Sequence, residues 1–297
     1  MKYIACQPGV DIDSRNINDK TPLHHAVRVN HIETVKKLIE LGADVNAQDD
    51  LQETPTFLAG ILGHWNIFKL LTVHYNTDIN TRNTYGYTIL HSAASKSYFK
   101  TVESLVRDYG MDVNIRSNNQ FTPLHIAARG NNYKLVSQLI EFGADVNARN
   151  NHQQTPLHVA VVCQSTIDII GLLSTTHDID INAKDRYGHT AFHYAVELST
   201  PEIVDIIASV SGVDIEAKDN DMYTAFHLAV CHGSPIMVRH LAEKIKVNTN
   251  AIGKFSRTAL HIAVDNKEYE IACDLIHKYK VNMNTKDEYG HTPLYYA

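Results

Sequence analysis

Histidine and cysteine are the residue types in this sequence that could most readily do chemistry, because both bind metals and take part in acid–base or nucleophilic steps. The chain has 18 histidines and four cysteines, Cys6, Cys163, Cys231 and Cys273. The cysteines are far apart and show neither zinc-site spacing nor a disulfide framework. No phosphate-binding loop, nucleophile elbow or His-Glu-x-x-His motif occurs. The sequence therefore predicts no catalytic residue, no metal site and no cofactor, and we expect no enzyme activity from it.

Seven of the histidines recur at one position of a longer pattern. Nine threonines follow one another at steps of 33 to 35 residues, and alanine stands five residues after each of them. Histidine stands three residues after seven of the threonines: His24, His91, His125, His158, His193, His227 and His261. Packed helices lie about 8–10 Å apart, whereas a zinc–nitrogen bond is about 2.0–2.1 Å, so these histidines cannot easily share an ion. They are predicted to bond the backbone of a neighbouring turn.

The residues around each threonine predict a pair of short helices. Threonine is a good N-cap, and proline is favoured at the next position, as in Thr21-Pro22. A second helix follows, with apolar residues at helical spacing such as Val35 and Leu38, and Gly42 fits its C-terminal cap. One such unit cannot bury its own apolar face, so successive units must stack.

The phrases TPLHHA at 21–26, TPLHIA at 122–127 and TPLHVA at 155–160 resemble the ankyrin repeat family, as does GADVNA at 42–47 and 143–148. The resemblance covers the whole chain. It implies an all-α fold, an ankyrin-repeat solenoid of stacked helix-turn-helix units with projecting β-turn or hairpin fingers. We expect a partial repeat at 1–20, eight repeats over 21–291, and the truncated start of another at 292–297. The eight repeats are expected to start at residues 21, 54, 88, 122, 155, 190, 224 and 258.

The sequence departs from the family pattern at two kinds of position. The family favours glycine two residues before the threonine, which is present at Gly86, Gly188 and Gly290. Six repeats have another residue there, and less ideal finger turns are predicted for them: Asp19, Gln52, Gln120, Gln153, Met222 and Ser256. The repeat that starts at Thr54 is the most divergent, with Thr56 in place of leucine and Phe57 in place of histidine.

Composition limits the classes of partner and compartment. The net charge is −6 and the isoelectric point is near 6.3, which argues against nucleic acid as the main partner. The sequence has no apolar run long enough to span a bilayer, so we expect no direct membrane insertion by this segment. A cytoplasmic monomer is predicted. If the parent protein is a toxin or a channel, a secreted or membrane-attached location is expected instead.

The resemblance implies that a protein partner binds to a concave surface made by the fingers and the first helices. Aromatic residues are over-represented in interface hot spots, and aromatic and histidine side chains at the variable finger positions are the candidate contacts: Tyr85, Tyr87, Phe121, His152, Tyr187, His189, Tyr223, Phe255 and Tyr289. The interpretation favours Tyr87, Phe121 and Tyr223 as contacts. Tyr187 and Tyr289 could equally be residues that pack on the next finger.

Asn46 and Asn147 are candidate modification sites. Ankyrin arrays in animals are often substrates of an asparaginyl hydroxylase that prefers leucine eight residues before the asparagine, and Leu38 and Leu139 stand at that distance. The alternative is an asparagine that only bonds loop backbone.

The parent protein could belong to a different functional class. The resemblance also allows the ankyrin portion of a larger membrane-acting protein, such as a cation channel or a latrotoxin-like pore-forming toxin. A third reading is an adaptor with a catalytic or degradation-linked domain outside this sequence. Transmembrane helices, a signal peptide or a catalytic motif in flanking sequence would distinguish these alternatives.

Overall fold

The computed structural model describes residues 11–198 and 200–297, so the first half of the predicted partial repeat at 1–20 lies outside the described residues. The chain forms two compact units, one up to Ala144 (unit 1) and one from Asp145 (unit 2). The described residues contain no β-strand and only one isolated bridge, between Ile252 and Thr258. The expectation of an all-α fold is therefore confirmed.

Unit 1 is built from pairs of short helices. The first helices are α1 (Pro22–Arg28), α3 (Pro55–Ile61), α5 (Ile89–Ser95) and α7 (Pro123–Arg129). The second helices are α2 (Ile32–Glu40), α4 (Trp65–Lys69), α6 (Phe99–Arg107) and α8 (Tyr133–Glu141). A π-helical turn, Leu70–His74, extends α4.

Unit 2 has the same organisation. The first helices are α9 (Pro156–Val162), α11 (Ala191–Leu198), α13 (Ala225–Cys231) and α15 (Ala259–Asp265). The second helices are α10 (Ile167–Thr175), α12 (Pro201–Ala208), α14 (Pro235–His240) and α16 (Tyr269–Cys273). The π-helical turns Leu241–Ile245 and Asp274–Lys278 extend α14 and α16, and 3-10 turns occupy Lys254–Ser256 and Pro293–Tyr296.

The threonine that precedes each first helix caps it. At α7, the Thr122 side chain accepts a hydrogen bond from the backbone N–H of His125, and the His125 ring nitrogen Nδ1 accepts one from the backbone N–H of Thr122 at 3.2 Å. This reciprocal pair satisfies donors that a helix end otherwise leaves unbonded. The sequence motif therefore sets where each first helix begins.

Small side chains let neighbouring first helices approach closely. Within unit 1, α1 packs on α3, α3 on α5, and α5 on α7. The repeated alanines lie at these contacts and are buried, for example Ala59 and Ala93. A larger side chain at these positions would force the helices apart, since protein cores are close-packed.

The structure explains the divergent second repeat. The Thr56 hydroxyl lies 2.7 Å from the hydroxyl of Thr77, and both side chains are buried. Phe57 fills the histidine position with a fully buried ring. The polar Thr56 is therefore tolerated in the core because it has a hydrogen-bonding partner in the loop that follows the second helix.

Candidate interaction surface

Each finger is a tight turn that one side chain closes. In the finger at 185–189, the backbone N–H of Asp185 donates to the carbonyl of His189 at 2.9 Å, and that of Gly188 donates to the carbonyl of Asp185 at 3.0 Å. The Asp185 carboxylate accepts from the backbone N–H groups of Tyr187 and His189 at 2.8 and 3.0 Å. The turn therefore fixes two outward positions, which we call the tip (Tyr187 here) and the base (His189 here).

The residue between tip and base lies in the left-handed region in every one of these turns. Gly188 has a φ of 80°, and the six residues that replace glycine have φ between 55° and 64°. Five of those six fingers keep the hydrogen bonds of the glycine-containing turns. The departure from glycine therefore leaves the turn intact and costs conformational strain, of order 1–3 kcal/mol at each such residue.

The finger at 253–257 is the exception. Gly253 stands where the other fingers have Asp, Asn or Ser, so the closing side chain is missing. The backbone N–H of Gly253 still donates to the carbonyl of Arg257 at 2.8 Å, but the inner hydrogen bond runs from the N–H of Arg257 to the carbonyl of Lys254. Both Phe255 and Ser256 take left-handed φ, 57° and 58°. Glycine is required at this position because a Cβ atom would lie 2.5 Å from Cδ1 of Tyr223.

Backbone hydrogen bonds join neighbouring fingers within each unit. In unit 1, Thr84 donates to the carbonyl of Leu51 at 2.9 Å. In unit 2, the backbone N–H of Asn220 donates to the carbonyl of Tyr187 at 3.0 Å, and the N–H of Glu288 donates to that of Phe255 at 2.9 Å. These bonds tie the backbones of neighbouring fingers to one another.

A second link between fingers was not anticipated from the sequence. Arg82 donates from Nη1 to the carbonyl of Arg116 at 2.6 Å in unit 1. In unit 2, Lys184 and Lys218 each donate from Nζ to a carbonyl of the next finger at 2.7 Å. The signal was present, since Lys or Arg recurs at the repeat spacing. Its role depends on a carbonyl more than thirty residues away, which spacing alone does not reveal.

The recurring histidines bond the backbone, as predicted. His91 accepts from the backbone N–H of Thr88 at Nδ1 (3.3 Å), and its Nε2–H donates to the carbonyl of Phe121 in the next finger at 2.9 Å. In unit 2, His193 makes the same pair of contacts, and His227 differs only in that its Nε2 bonds the carbonyl of Ala251, just before the next finger. Burial lowers the pKa of all three to about 4. They are therefore neutral at pH 7 and serve as links between repeats.

The tip residues among the predicted contacts are exposed. Tyr85 is 62% exposed, Tyr187 52%, Phe255 43% and Tyr289 63%, and His152 is exposed as well. Tyr85 belongs to unit 1, and the other four belong to unit 2. In each case a fixed turn presents a large, mostly apolar side chain to solvent.

The base residues among the predicted contacts are half-buried and pack on the recurring histidines. The Tyr87 ring stacks on His91 with centroids 5.3 Å apart, and the His189 ring stacks on His193 at 5.4 Å. Phe121 lies edge-on to His125 and Tyr223 is tilted against His227, both with centroids 5.5 Å apart. The structure therefore divides the predicted contacts into exposed tips and supporting bases.

The two candidate asparagines differ in their surroundings. Asn147 donates from Nδ2 to the carbonyl of Asp178 at 2.7 Å and accepts at Oδ1 from the backbone N–H of Asp180 at 2.8 Å. Asn46 is exposed, and its backbone N–H donates to the Asp44 carboxylate at 2.9 Å. Hydroxylation of either residue stays a prediction.

Two kinds of feature are absent from the described residues, a metal-binding cluster and a membrane-spanning helix. Within residues 11–198 and 200–297, no three His, Cys, Asp or Glu side chains come close enough to hold a metal ion. In the same part of the chain, none of the helices combines the length and apolar character needed to cross a bilayer. What the site does provide is rows of turns with rigidly held side chains.

Stacked helix pairs with hydrogen-bonded fingers define a helical repeat protein. The chain belongs to the ankyrin repeat family: models described as "Ankyrin repeats (3 copies)" match residues 46–117, 110–185, 151–219 and 168–252. A single "Ankyrin repeat" matches 18–50, and "Ankyrin repeats (many copies)" matches 241–297. The predicted family and fold are thus confirmed. Ankyrin repeats are generally protein–protein interaction modules, typically without catalytic activity of their own.

Several named proteins are similar to part of this chain. Alpha-latroinsectotoxin-Lt1a and alpha-latrocrustotoxin-Lt1a of Latrodectus tredecimguttatus are 32% and 37% identical over 93 and 82 residues, which are 31% and 28% of this chain. Rabankyrin-5 of Mus musculus is 38% identical over 84 residues, or 28% of this chain. The matched segments are only 6% of each latrotoxin and 7% of Rabankyrin-5.

A solved structure supports the same fold. The ankyrin repeat domain of Bcl-3, described as a unique member of the IkappaB protein family, matches with a TM-score of 0.66 and 28% sequence identity. The match covers 71% of this chain and 94% of that domain.

Proposed function

We propose that this chain is a non-catalytic scaffold that binds a protein partner, with the exposed finger tips of each unit as contacts. The observation that carries the proposal is the set of tips in unit 2, where Tyr187, Phe255 and Tyr289 are large, exposed and fixed by backbone hydrogen bonds. Solvent exposure of such residues is unfavourable for the free protein, and a partner that covered them would recover the hydrophobic free energy.

The rigidity of the fingers favours binding. An interface side chain that is ordered only on association costs about 0.5–1.5 kcal/mol of conformational entropy. The Tyr187 and Tyr289 backbones are held before any partner arrives, because a finger carboxylate accepts from each backbone N–H. Stacking on a histidine holds the base residues in place, which makes them supports for the tips and secondary contacts.

The test is selection of binders from a displayed library of random peptides, followed by affinity measurements on variants. Replacement of Tyr187, Phe255 and Tyr289 by alanine is expected to weaken the selected binders about 30-fold or more, since each hot-spot truncation costs more than about 1 kcal/mol. Far-UV circular dichroism is expected to stay unchanged, because the three side chains project from the turns.

The matched control is Tyr269→Ala together with Ile236→Ala. These side chains are 74% and 71% exposed in the same unit but lie on the second helices α16 and α14. If the control variant loses as much affinity as the tip variant, or if the tip variant binds like the unaltered protein, the finger tips are not the contact surface.

A second candidate is favoured by the names of two relatives. Because latrotoxins match this chain, it would be the ankyrin portion of a larger membrane-acting protein and would assemble or tether it. Sequencing the transcript beyond both ends tests this candidate. Further ankyrin repeats without a membrane-spanning segment or a toxin-like leader would count against it.

A further inference from the structure

The first helices of the two units carry charges of opposite sign. In unit 1 the segments from each threonine to the residue after its first helix contain Arg28, Lys96 and Arg129 and no Asp or Glu. In unit 2 the corresponding segments contain Glu197 and Asp265 and no Lys or Arg. Residues 1–144 contain 14 Lys or Arg and 14 Asp or Glu. The positive face of unit 1 therefore comes from the placement of charges, because the composition of this half is neutral.

Both first-helix carboxylates of unit 2 have a side-chain partner. Glu197 Oε1 lies 3.2 Å from His232 Nε2, and Asp265 Oδ2 lies 2.7 Å from Arg257 Nη2.

The contacts of the three unit 1 cations are of a different kind. Arg28 donates from Nη2 to His25 Nδ1 at 3.1 Å, and the Arg129 guanidinium lies over the Phe121 ring at 5.8 Å. The charge of Lys96 acts electrostatically on the Glu53 carboxylate. The hydrogen-bonding partner of that carboxylate is Asn83, whose Nδ2 lies 3.4 Å from Glu53 Oε1. Within the described residues, no ion pair joins Arg28, Lys96 or Arg129 to a carboxylate. All three side chains belong to exposed residues.

A cavity adds to the positive character of this face. It has a volume of about 570 Å³, lies between the first finger and α1, and has Arg15, Lys20, His25 and Arg28 in its lining. None of the described residues in its lining is Asp or Glu. Lys20 is paired with Asp49 at 3.2 Å, and Arg15 Nη1 donates to the carbonyl of Gln48 at 2.6 Å. Arg28 is thus the cation of the cavity that is available to a bound carboxylate.

We propose that the first-helix face of unit 1 binds an acidic peptide segment, a partner class that rests on the proposed binding function. From α1 to α7 there are three helix-to-helix steps of about 8–10 Å, or roughly 24–30 Å. An extended peptide rises about 3.3 Å per residue, so about eight to ten residues reach from Arg28 past Lys96 to Arg129. Three point charges at this spacing suit separate carboxylates, whereas a nucleic acid needs many closely spaced cations.

The probe is a fluorescein-labelled peptide of about ten glutamates, a length set by the span of the face. A glutamine peptide of the same length is the uncharged control, and fluorescence anisotropy gives the affinity. The glutamate peptide is expected to bind saturably, and the glutamine peptide is not. Replacing Arg28, Lys96 and Arg129 by glutamine is expected to weaken binding about 10- to 30-fold, because each exposed charge contact contributes modestly.

The matched control places the same charge change on the second helices of unit 1: Lys69→Gln, Lys100→Gln and Lys134→Gln, on α4, α6 and α8. It is expected to change the affinity by less than about twofold. The inference is overturned if the glutamate peptide fails to bind, if both triple variants weaken it equally, or if a single-stranded uridine oligomer of equal length binds as tightly. Tip-dependent library binders without glutamate-peptide binding would overturn this inference alone and leave the proposed function in place.

Discussion

Acidification tests the role of the recurring histidines most directly. His91, His193 and His227 are buried and neutral in the folded chain, with the pKa lowered from 6.5 to about 4 because burial penalises the charged ring. The unfolded chain takes up these protons near pH 6.5, before the folded chain does. The stability that depends on neutral histidine is therefore complete above pH 6.5 and is lost as the pH falls from 6.5 to about 4.

The expected loss of stability is large. One pKa unit corresponds to about 1.4 kcal/mol, so each histidine accounts for roughly 3 kcal/mol once the pH is below both pKa values. At pH 5 the loss is about 2 kcal/mol for each histidine, or about 6 kcal/mol for the three together. Folded domains are stable by only about 5–15 kcal/mol, so this loss brings the protein close to unfolding.

Urea denaturation followed by circular dichroism at pH 7, 6 and 5 measures the effect. The pKa values of Asp205 and Asp287 are lowered from 3.8, whereas burial raises the pKa of Glu53 from 4.5, and that group opposes the histidine effect as the pH falls. His91→Phe introduces the residue type that Phe57 supplies at this position of the second repeat, and it removes one titrating group. The loss of unfolding free energy between pH 7 and pH 5 should therefore be about 2 kcal/mol smaller in this variant. A free energy of unfolding at pH 5 within about 1 kcal/mol of that at pH 7 would refute the reasoning.

Three further predictions concern single positions. Gly253→Ala should lower the free energy of unfolding by about 1–3 kcal/mol, because the added Cβ meets Tyr223. The control Gly171→Ala, in open space on α10, should leave the free energy of unfolding unchanged or raise it by up to about 1 kcal/mol. Thermal unfolding compares the two variants. Asn147→Ala should cost about 1–3 kcal/mol through two lost hydrogen bonds, and Asn46→Ala less than about 0.5 kcal/mol; equal costs would contradict the bridging role. After expression in animal cells, peptide mass spectrometry should find an added oxygen more often on Asn46 than on Asn147, whose amide is occupied; unmodified peptides at both would contradict the hydroxylation hypothesis.

The helix starts were predictable from the sequence because their causes are local. The threonine cap, the following proline and the histidine three residues later all act within one turn, as Thr122 and His125 show. The alanines were predictable for a related reason, since a close helix contact admits only a small side chain. The fold of each repeat therefore follows from interactions that a short window of sequence contains.

The character of the surface was less predictable because it depends on neighbouring repeats. Tip and base residues look alike in sequence, and Tyr187 and Tyr223 separate only when the position within the turn and the stacking histidine are known. The strain at Phe255 follows from a side chain that Gly253 does not have. The sign of each first-helix face was readable in the sequence, but whether its charges are paired depends on residues such as Arg257, which lies outside the helix.

The histidine links have a consequence for where an array of this kind can be cut. His261 completes its hydrogen bonds only with the carbonyl of His291, which belongs to the finger that follows its own helix pair. The smallest segment that satisfies the hydrogen bonds of its own histidine is therefore a helix pair plus the next finger, and its boundaries differ from those of the repeat that starts at each threonine. Truncations that end before such a finger leave a buried donor without an acceptor, whereas those that end after it close the segment. Domain boundaries chosen for expression or for fusion to other proteins should accordingly follow the base of a finger.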